Sequence, residues 1–343
     1  MLYNKDYREV FIMWTPINYE DKLNYYETEL LIKFVKDTFE KRLARHLDLM
    51  RVSAPLFVER NSGLNDDLNG VERPVSFDAH EVNDELEVVH SLAKWKRLAL
   101  KKYDYHRHGI YTDMNAIRRD EEVDNIHSFY VDQWDWEKII AEKDRNLETL
   151  KEYVRLIVRS LKETETDLHY LCDKLDNVIE ENVFFITSQE LEDMYPNLTS
   201  KEREDAIAKE HHTVCIMQIG AKLKSGKPHD MRAPDYDDWS LNCDILVYYP
   251  ILDHAIEISS MGIRVDAKTL VKQLTERNCL ERLELPFHDA LVHKELPYTI
   301  GGGIGQSRIC LLLLNKAHIG EVQACVWPEN TYIFAAANGI HLL

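Results

Sequence analysis

A glycine-rich segment near the C-terminus has the clearest chemical character in the chain. It reads TIGGGIGQSR and spans residues 299–308. Glycines let a flat ring lie directly on the backbone, and the guanidinium of Arg308 could stack on that ring or pair with phosphate oxygens. Two familiar phosphate-binding patterns fail, since Gln306 replaces the P-loop lysine and no complete GxGxxG is present. The segment is therefore compatible with a nucleotide site, and equally with a glycine-rich strand packed tightly against a helix.

Two carboxylates, Asp244 and Glu257, form a second candidate. They lie in neighbouring strand-like runs joined by a short link at Pro250-Ile251. If the turn centres on that link, the carboxylates face each other across the strands, and like charges so placed are destabilising. A divalent cation would remove the repulsion, and Mg²⁺ is usually held by one or two carboxylates plus substrate phosphates. The sequence thus predicts a magnesium site, which a slip of one residue in the register would separate.

A third candidate is a hairpin with polar residues on one face. Arg118 ends the first predicted strand, and after a charged turn the segment HSFYVDQWDWE (127–137) returns. By the two-residue period of a strand, Val131, Gln133 and Asp135 share one face. The many aromatic residues of this strand favour burial over a solvent-exposed edge hairpin. We therefore expect Gln133 and Asp135 to form a buried polar pair.

Three further stretches carry charge but are less specific. They are the acidic cluster 235–239 beside Arg232, the turn-like GLNDDLNG (63–70), and the basic and aromatic HSLAKWKR (90–97). Each of them alone is more typical of a solvated loop or helix face. The formal net charge is −18, and such a surface repels nucleic acid phosphates unless basic residues are concentrated in one place. We expect no nucleic acid partner.

Apolar periodicity predicts the helices that must position these residues. Leu31, Val35, Phe39 and Leu43 recur every four positions in a helix over 22–46. A second helix over 144–163 has one apolar stripe. Thr199 and Glu202 resemble a capping box that opens a short helix over 200–210.

Strand-like runs alternate irregularly with the helices. The apolar stretch LMRVSAPLFVE (49–59) is expected to be one long strand near an edge or an interface, because Pro55 cannot donate to a ladder. Further strands are predicted at 183–187, 213–219, 244–249 and 255–263, the last two as a hairpin. This order favours an α+β fold with a mainly antiparallel sheet flanked by helices. We expect one catalytic domain over 1–343, with an N-terminal extension (1–20) and a C-terminal tail (329–343).

The sequence shows no targeting or membrane signal. No stretch approaches the roughly 20 apolar residues needed to span a bilayer, and the N-terminus lacks a signal-peptide pattern. Six scattered cysteines form no CxxC pair and are expected to be reduced. We therefore expect a cytoplasmic protein with no membrane partner.

Taken together, these segments resemble the catalytic core of class II aminoacyl-tRNA synthetases. The helix and the Pro55 strand resemble motif 1, Arg118 with its hairpin resembles motif 2, and GGGIGQSR resembles motif 3. The chain is more similar still to the ammonia-dependent asparagine synthetases (aspartate–ammonia ligases). That similarity runs from about residue 20 to 328 through VVHSLAKWKR, YVDQWDWE, RAPDYDDW, EISSMGIRVD, TIGGGIGQSR and HIGEVQACVWP.

The resemblance implies a reaction and a set of substrates. ATP would adenylate the side-chain carboxylate of aspartate with release of pyrophosphate, and ammonia would then attack the β-aspartyl-AMP to give asparagine and AMP. Mg²⁺ would accompany ATP, and motif 1 implies a homodimer. A glutaminase domain would need Cys at position 2, where this chain has Leu2, so free ammonia is the expected nitrogen donor.

The resemblance also implies roles for individual residues. Arg118 and Arg308 would hold the ATP phosphates or the adenylate, with Arg264 near the phosphates. Asp66 would meet the amine, attracting ammonium and accepting its proton. The remaining roles are Mg²⁺ at Asp244 and Glu257; the adenine-side floor at Gly301, Gly303 and Gly305; the nucleotide border at Ile258 and Ser259; and aspartate binding at Ser91, Lys96, Gln133, Asp135 and Asp237.

One departure and two alternatives accompany this interpretation. The link 240–243 between Trp239 and Asp244 is shorter than in family members with an insert there, which could alter substrate access. A tRNA-charging enzyme would need an anticodon-binding domain and a basic face, for which an acidic chain of 343 residues offers little. A non-catalytic sensor would be expected to lack the metal or phosphate residues, yet Asp244, Glu257, Arg118 and Arg308 are present.

Overall fold

The computed structural model describes residues 13–66, 68, 72–103 and 108–343, and these contain eleven strands. The strands are β1 (Leu49–Arg51), β2 (Phe57–Glu59), β3 (Ser76–Phe77), β4 (Leu86–Val88), β5 (Gly109–Ile117), β6 (Tyr130–Ile139), β7 (Phe184–Thr187), β8 (Thr213–Met217), β9 (Asp237–Tyr249), β10 (His254–Arg264) and β11 (Thr299–Gly305). Eight of them form one sheet in the order β1-β5-β6-β11-β10-β9-β8-β7. Only the outer pairs β1–β5 and β7–β8 are parallel. The predicted α+β fold with a mainly antiparallel sheet is confirmed.

The prediction of one long strand over 49–59 is wrong. Residues Leu49–Arg51 lie at the edge of the eight-stranded sheet, whereas Phe57–Glu59 pairs with β4 in a separate three-stranded sheet ordered β2-β4-β3. Pro55 lies between the two strands and has no N–H to continue either ladder. The chain therefore changes sheets where the sequence suggested only an interruption.

Helices flank the sheet. Their bounds are α1 (Tyr25–Leu47), α2 (Ala93–Tyr103), α3 (Leu147–Leu171), α4 (Ser188–Met194), α5 (Ser200–His211), α6 (Ala267–Glu276), α7 (Pro286–Val292), α8 (Gln306–Leu313) and α9 (Glu329–Ala337). The predicted helices 22–46 and 144–163 correspond to α1 and α3, with shifted ends. The predicted stripe of α1 is buried, and Thr199 and Glu202 form the predicted capping box of α5.

The two faces of β6 are chemically different. Trp134 packs against Phe39 of α1 with ring centroids 4.9 Å apart, and Trp136 stacks on Tyr153 of α3 at 5.7 Å. Because side chains alternate along a strand, the intervening Gln133, Asp135 and Glu137 face the other side of the sheet. The helices α1 and α3 therefore cover one face, and the polar residues of β6 lie on the opposite face.

The hairpin of β9 and β10 differs from its prediction in two ways. Residues 240–243 are not a linking loop, since they lie inside β9, which begins at Asp237. Asp244 and Glu257 are not directly opposite either: Asp244 pairs with Ser260, and Glu257 pairs with Leu246. The turn is centred later than assumed, because Tyr249 pairs with His254, and a bulge between Glu257 and Ser259 shifts the register again. The two carboxylates are therefore diagonal neighbours on one face.

Residues 19–21 and the C-terminal residue Leu343 both contact the segment 316–321. Tyr19 donates to Glu321 at 2.5 Å, and the Lys316 ammonium donates to Asp21 at 2.6 Å. At the other end, the N–H of Leu343 donates to the carbonyl of Gly320 at 2.8 Å. Residues 1–12 of the predicted extension lie outside the described residues. Within the described residues, no helix combines the length and the apolar character that a membrane crossing requires.

Candidate active site

A cavity of about 370 Å³ opens on the sheet face that α1 and α3 leave uncovered. Its wall comes from β6, β10, β11, the start of α8 and the loop before β9. It brings together most of the predicted site residues, which are Asp66, Ser91, Arg118, Gln133, Asp135, Asp237, Glu257, Ile258, Ser259, Arg264, Gly303, Gly305 and Arg308. Three predicted residues, Lys96, Asp244 and Gly301, are outside the lining.

At one end of this cavity, the positive charges of three arginines stabilise the carboxylate of Glu257. Arg308 projects from the first turn of α8, and its Nη1 donates to the backbone carbonyl of Glu257 at 2.8 Å. Burial would raise the pKa of Glu257, but the positive charges of Arg308, Arg232 and Arg118 outweigh that effect and lower it. This concentration of cations suits a polyanionic group, and we call it the cationic end.

Asp244 lies beside the cationic end, and Arg232 forms an ion pair with its Oδ2. Its Oδ1 is buried and has no hydrogen-bond partner among the described residues. Burial raises the pKa of Asp244 well above its ordinary value; Arg232 opposes this rise, and the charge of Glu257 adds to it. An orphaned carboxylate oxygen beside a second carboxylate fits a divalent cation.

The protein alone supplies few metal ligands here. Across the described ranges of the chain, no three His, Cys, Asp or Glu side chains are grouped so that they could hold a metal ion. A cation at Asp244 and Glu257 would therefore take its other ligands from a substrate or from water. This matches the way Mg²⁺ is usually bound together with phosphates.

Arg264 lies between two buried carboxylates at the other end of the cavity. Its Nη2 donates to Glu137 at 2.7 Å, and its Nη1 donates to Asp237 at 2.5 Å. Burial would raise the pKa of Glu137, yet Arg264 and Lys96 hold it below its usual range. Burial dominates at Asp237 and raises its pKa in spite of Arg264. We call this group, Glu137 and Asp237 with Arg264 between them, the acidic end. Arg264 was predicted to lie near the phosphates, but its partners are these two carboxylates.

Lys96 is buried behind the acidic end. Its ammonium pairs with Asp135 and also donates to the carbonyls of Trp136 (2.9 Å) and Gly302 (3.2 Å). An ammonium group has three N–H donors, and these contacts use all three. Lys96 was predicted to bind a substrate directly, but in this structure it fixes Asp135, whose other oxygen accepts from the N–H of Leu92 at 3.2 Å.

The glycines of β11 make room for side chains of β6. A Cβ on Gly301 would overlap Glu137 and lie 2.6 Å from Nη2 of Arg264, and one on Gly303 would overlap Gln133. Gly301 was predicted as part of an adenine-side floor, yet its missing side chain accommodates an ion pair. Gly303 and Gly305 do line the cavity, and Ser259 donates to the carbonyl of Gly303 at 3.0 Å.

Asp66 and two neighbours line a third part of the cavity. Oδ1 of Asp66 accepts from the N–H of Leu68 at 2.9 Å, and its backbone carbonyl accepts from Nδ1 of His90 at 2.8 Å. Burial raises the pKa of Tyr236 well above its ordinary value, and the charge of Asp66 contributes to that rise. The Arg264 guanidinium lies 5.8 Å from the centre of the Tyr236 ring, which connects this part of the cavity to the acidic end.

Four residues of the site were not predicted from the sequence: Arg232, His90 and Tyr236 line the cavity, and Glu137 pairs with the lining residue Arg264. Glu137 continues the two-residue period of Gln133 and Asp135, so the strand pattern contained a signal for it. Arg232 was noticed only as a neighbour of an acidic cluster, and His90 and Tyr236 only as members of charged or aromatic runs. Their inclusion depends on loops that fold back onto the sheet, which local patterns do not indicate.

Comparison with known proteins gives the family. A family model described as aspartate-ammonia ligase matches residues 26–339. An aspartate–ammonia ligase of Clostridium perfringens is 60% identical over 333 residues, covering 96% of this chain and 99% of that protein. One of Levilactobacillus brevis is 54% identical over 330 residues, covering 96% and 98%.

Solved structures with the same fold are more distant in sequence. The asparaginyl-tRNA synthetase of Pyrococcus horikoshii, complexed with asparaginyl-adenylate, superposes with a TM-score of 0.62 at 16% identity, covering 88% of this chain and 70% of that one. The Entamoeba histolytica asparaginyl-tRNA synthetase, also with asparaginyl-adenylate, gives 0.62 at 12% identity, covering 87% and 66%. The chain spans about two thirds of the length of these synthetases.

The fold and the relatives lead to the same assignment. The predicted fold type, that of the class II aminoacyl-tRNA synthetase catalytic core, is confirmed. The sequence match is nearly full-length for the ligases. The chain belongs to the aspartate–ammonia ligase family of enzymes.

Proposed function

We propose that the chain makes L-asparagine from L-aspartate and ammonia with ATP, through β-aspartyl-AMP, releasing AMP and pyrophosphate. The observation that carries the proposal is one cavity with a cationic end at Arg118, Arg232 and Arg308 and an acidic end at Asp237 and Arg264. Activation of a carboxylate by ATP needs the triphosphate of ATP and the amino acid in contact. The cationic end suits the triphosphate, and the acidic end suits the amino acid.

At the cationic end, Arg118 and Arg308 would bind the phosphates and offset the charge that develops as pyrophosphate leaves. Asp244 and Glu257 would hold Mg²⁺, which neutralises phosphate charge when bound. Ile258, Ser259, Gly303 and Gly305 would border the nucleotide. Arg232 would release Asp244 when the cation arrives and would then be free to pair with a phosphate.

At the acidic end, Arg264 would bind a carboxylate of aspartate, since its guanidinium lines the cavity and matches a carboxylate geometrically. Hydrogen bonds to the amino acid would come from the side chains of Asp237, Gln133 and Ser91. Asp135 would attract its ammonium group. Lys96 would act as a positioning residue, because its donors are occupied by Asp135 and two backbone carbonyls.

Asp66 would attract the ammonium ion and accept one of its two surplus protons. A buried carboxylate 1% exposed to solvent is a strong site for a small cation, and this one lines the same cavity. Attack by the nitrogen lone pair on the acyl carbon would form the amide and release AMP.

An isotope experiment tests the intermediate. The purified chain would be supplied with aspartate carrying ¹⁸O in its side-chain carboxylate, ATP, Mg²⁺ and ammonium, with and without tRNA. We expect asparagine without tRNA and one ¹⁸O atom transferred to AMP. Formation of ADP and phosphate, or AMP without ¹⁸O, would contradict the adenylate. Product formation only with tRNA would favour a tRNA-charging enzyme, and absence of any product would favour a sensor.

We also propose that the chain works in the cytoplasm as a homodimer. Helix α1 presents Tyr25, Tyr26 and Leu30 to solvent, each more than half exposed, and such side chains suit a subunit interface. Light scattering should give about twice the 40.3 kDa mass of the chain. A monomeric mass at micromolar concentration would contradict the dimer.

A further inference from the structure

Amide formation from ammonium releases two protons at the nitrogen site. Ammonium carries four protons, and the amide nitrogen of asparagine keeps two of them. One proton must leave before the lone pair can attack, and another must leave after the carbon–nitrogen bond has formed. Asp66 can hold only one of them at a time, so a second acceptor beside it would serve the other proton.

His90 has a fixed tautomer that leaves one ring nitrogen as an acceptor. Its backbone N–H donates to Oδ1 of Asn65 at 2.9 Å, and its ring Nδ1 lies 2.8 Å from the carbonyl of Asp66. A carbonyl only accepts, so Nδ1 carries the proton, and in the neutral ring Nε2 bears the lone pair.

The Nε2 atom is buried and turned toward no protein donor. The residue is 1% exposed, and Nε2 has no hydrogen-bond partner in the described parts of the chain. His90 nevertheless lines the cavity together with Asp66, Ser91 and Tyr236. A buried acceptor without a donor in a ligand cavity is a place where a ligand N–H fits.

We propose that His90 is the second proton acceptor of the ammonia step, an inference that rests on the proposed function. Nε2 takes one proton from ammonium and becomes imidazolium. The nitrogen lone pair forms a bond to the acyl carbon of the adenylate, and the carbon–oxygen bond to AMP breaks with its electron pair on AMP. The carboxylate of Asp66 takes the second surplus proton. Both residues then return their protons to solvent.

The test compares two substitutions at buried histidines with the same hydrogen-bond pattern. In His90→Asn, the side-chain amide can still donate to the carbonyl of Asp66, while the Nε2 acceptor is removed. His254 is the matched control. It is 2% exposed, and its Nδ1 lies 3.0 Å from the carbonyl oxygen of Leu252. Its Nε2 also has no hydrogen-bond partner among the described residues, but His254 lies outside the cavity lining. His254→Asn should leave turnover unchanged.

Four measurements separate an acceptor from a structural role. In His90→Asn we expect aspartate-dependent ATP–pyrophosphate exchange to stay within about twofold of wild type, and asparagine formation from ammonium to fall by about 100-fold or more. Hydroxylamine, which is largely neutral at pH 8, should restore product formation as the hydroxamate. The kcat/KM for total ammonium should rise about tenfold per pH unit between pH 7 and 9 in the variant, since it must use free ammonia, and should rise less in wild type.

Each contrary result overturns the inference. Equal losses with ammonium and hydroxylamine would assign His90 a structural role, as would an equal loss of the exchange reaction. An undiminished ammonium reaction would exclude it from the step. If the wild-type chain itself formed no asparagine from ammonium, the proposed function would fail, which this set of measurements distinguishes from a failure of His90 alone.

Discussion

The guanidinium of Arg232 pairs with Asp244, the carboxylate that also has an orphaned buried oxygen. Arg232 thus occupies one side of the carboxylate that a cation would need. Since Asp244 is 6% exposed, its charge depends on a partner from within the protein or from a ligand.

Arg232→Met should destabilise the metal-free chain by about 3 kcal/mol, because it leaves a buried carboxylate without its cation. Mg²⁺ should restore part of that loss and should change the wild-type stability less. Urea unfolding with and without Mg²⁺ measures both. The control is Arg159→Met, which removes an exposed pair with Glu163 and should cost less than about 0.5 kcal/mol. Equal effects of the two substitutions would contradict the role of the pair.

Asp66→Asn should separate the two half-reactions. The neutral amide removes the charge that attracts ammonium and the base that accepts its proton, but it keeps the size of the side chain. We expect ATP–pyrophosphate exchange to persist and asparagine formation to fall by about 100-fold. Equal loss of both half-reactions would refute the role of Asp66.

Gly301→Ala should disable the acidic end and disturb the β6–β11 ladder beside it, because the Cβ would also lie 2.6 Å from the backbone oxygen of Trp136. The new Cβ would overlap Glu137 and crowd Arg264, so the ion pair between them must shift. We expect the KM for aspartate to rise by about tenfold or more, since a small displacement of a binding group costs about that much. Gly226→Ala is the control, because nothing lies within 4 Å of its Cβ, although its φ of +86° adds some backbone strain. A normal KM for aspartate in Gly301→Ala would mean that Arg264 does not bind this substrate.

His318 should make stability depend on pH. Its Nδ1 accepts from the N–H of Gly320 at 3.0 Å, which requires a neutral ring, and burial lowers its pKa from 6.5 to about 4. Between these values the unfolded chain binds the proton more readily than the folded chain, so stability falls as the pH falls from 6.5 towards 4. At pH 5 the loss from this group is about 2 kcal/mol relative to neutral pH.

The substitution His318→Asn tests that dependence, since an amide oxygen can accept from Gly320 without titrating. Urea unfolding at pH 7 and pH 5 should show a smaller decrease in stability for the variant than for wild type. His80→Asn, at an exposed position, should leave the decrease unchanged. An identical decrease in all three proteins would exclude His318 as its source.

Local patterns predicted the helices α1, α3 and α5 and the two hairpins β5–β6 and β9–β10. The stripe of α1, the capping box of α5 and the shared face of Gln133 and Asp135 depend on short-range periodicity, which the structure preserves. The register of Asp244 and Glu257 could not be predicted, because the turn length and the bulge after Glu257 are decided by packing across the sheet.

The same limit applies to the site. Lys96 and Asp135 were both predicted to bind aspartate, but the contacts of Lys96 with Asp135 and with backbone carbonyls of two strands follow from no local pattern. The resemblance grouped Gly301 with Gly303 and Gly305 at the adenine, whereas in the structure Gly301 faces Glu137 across the β6–β11 ladder. The family resemblance predicted which residues form the site, whereas the tertiary contacts determine what each of them does.

The two ends of the cavity begin ligand binding from different states. Around Arg264, the ion pairs with Glu137 and Asp237 are complete when the chain has folded, so an amino acid meets a rigid template there. At Asp244, the proposed cation would meet the orphaned oxygen first and then compete with Arg232 for the other one. Association at that end would therefore be an exchange of partners, in which a displaced arginine becomes available to the anion that accompanies the cation.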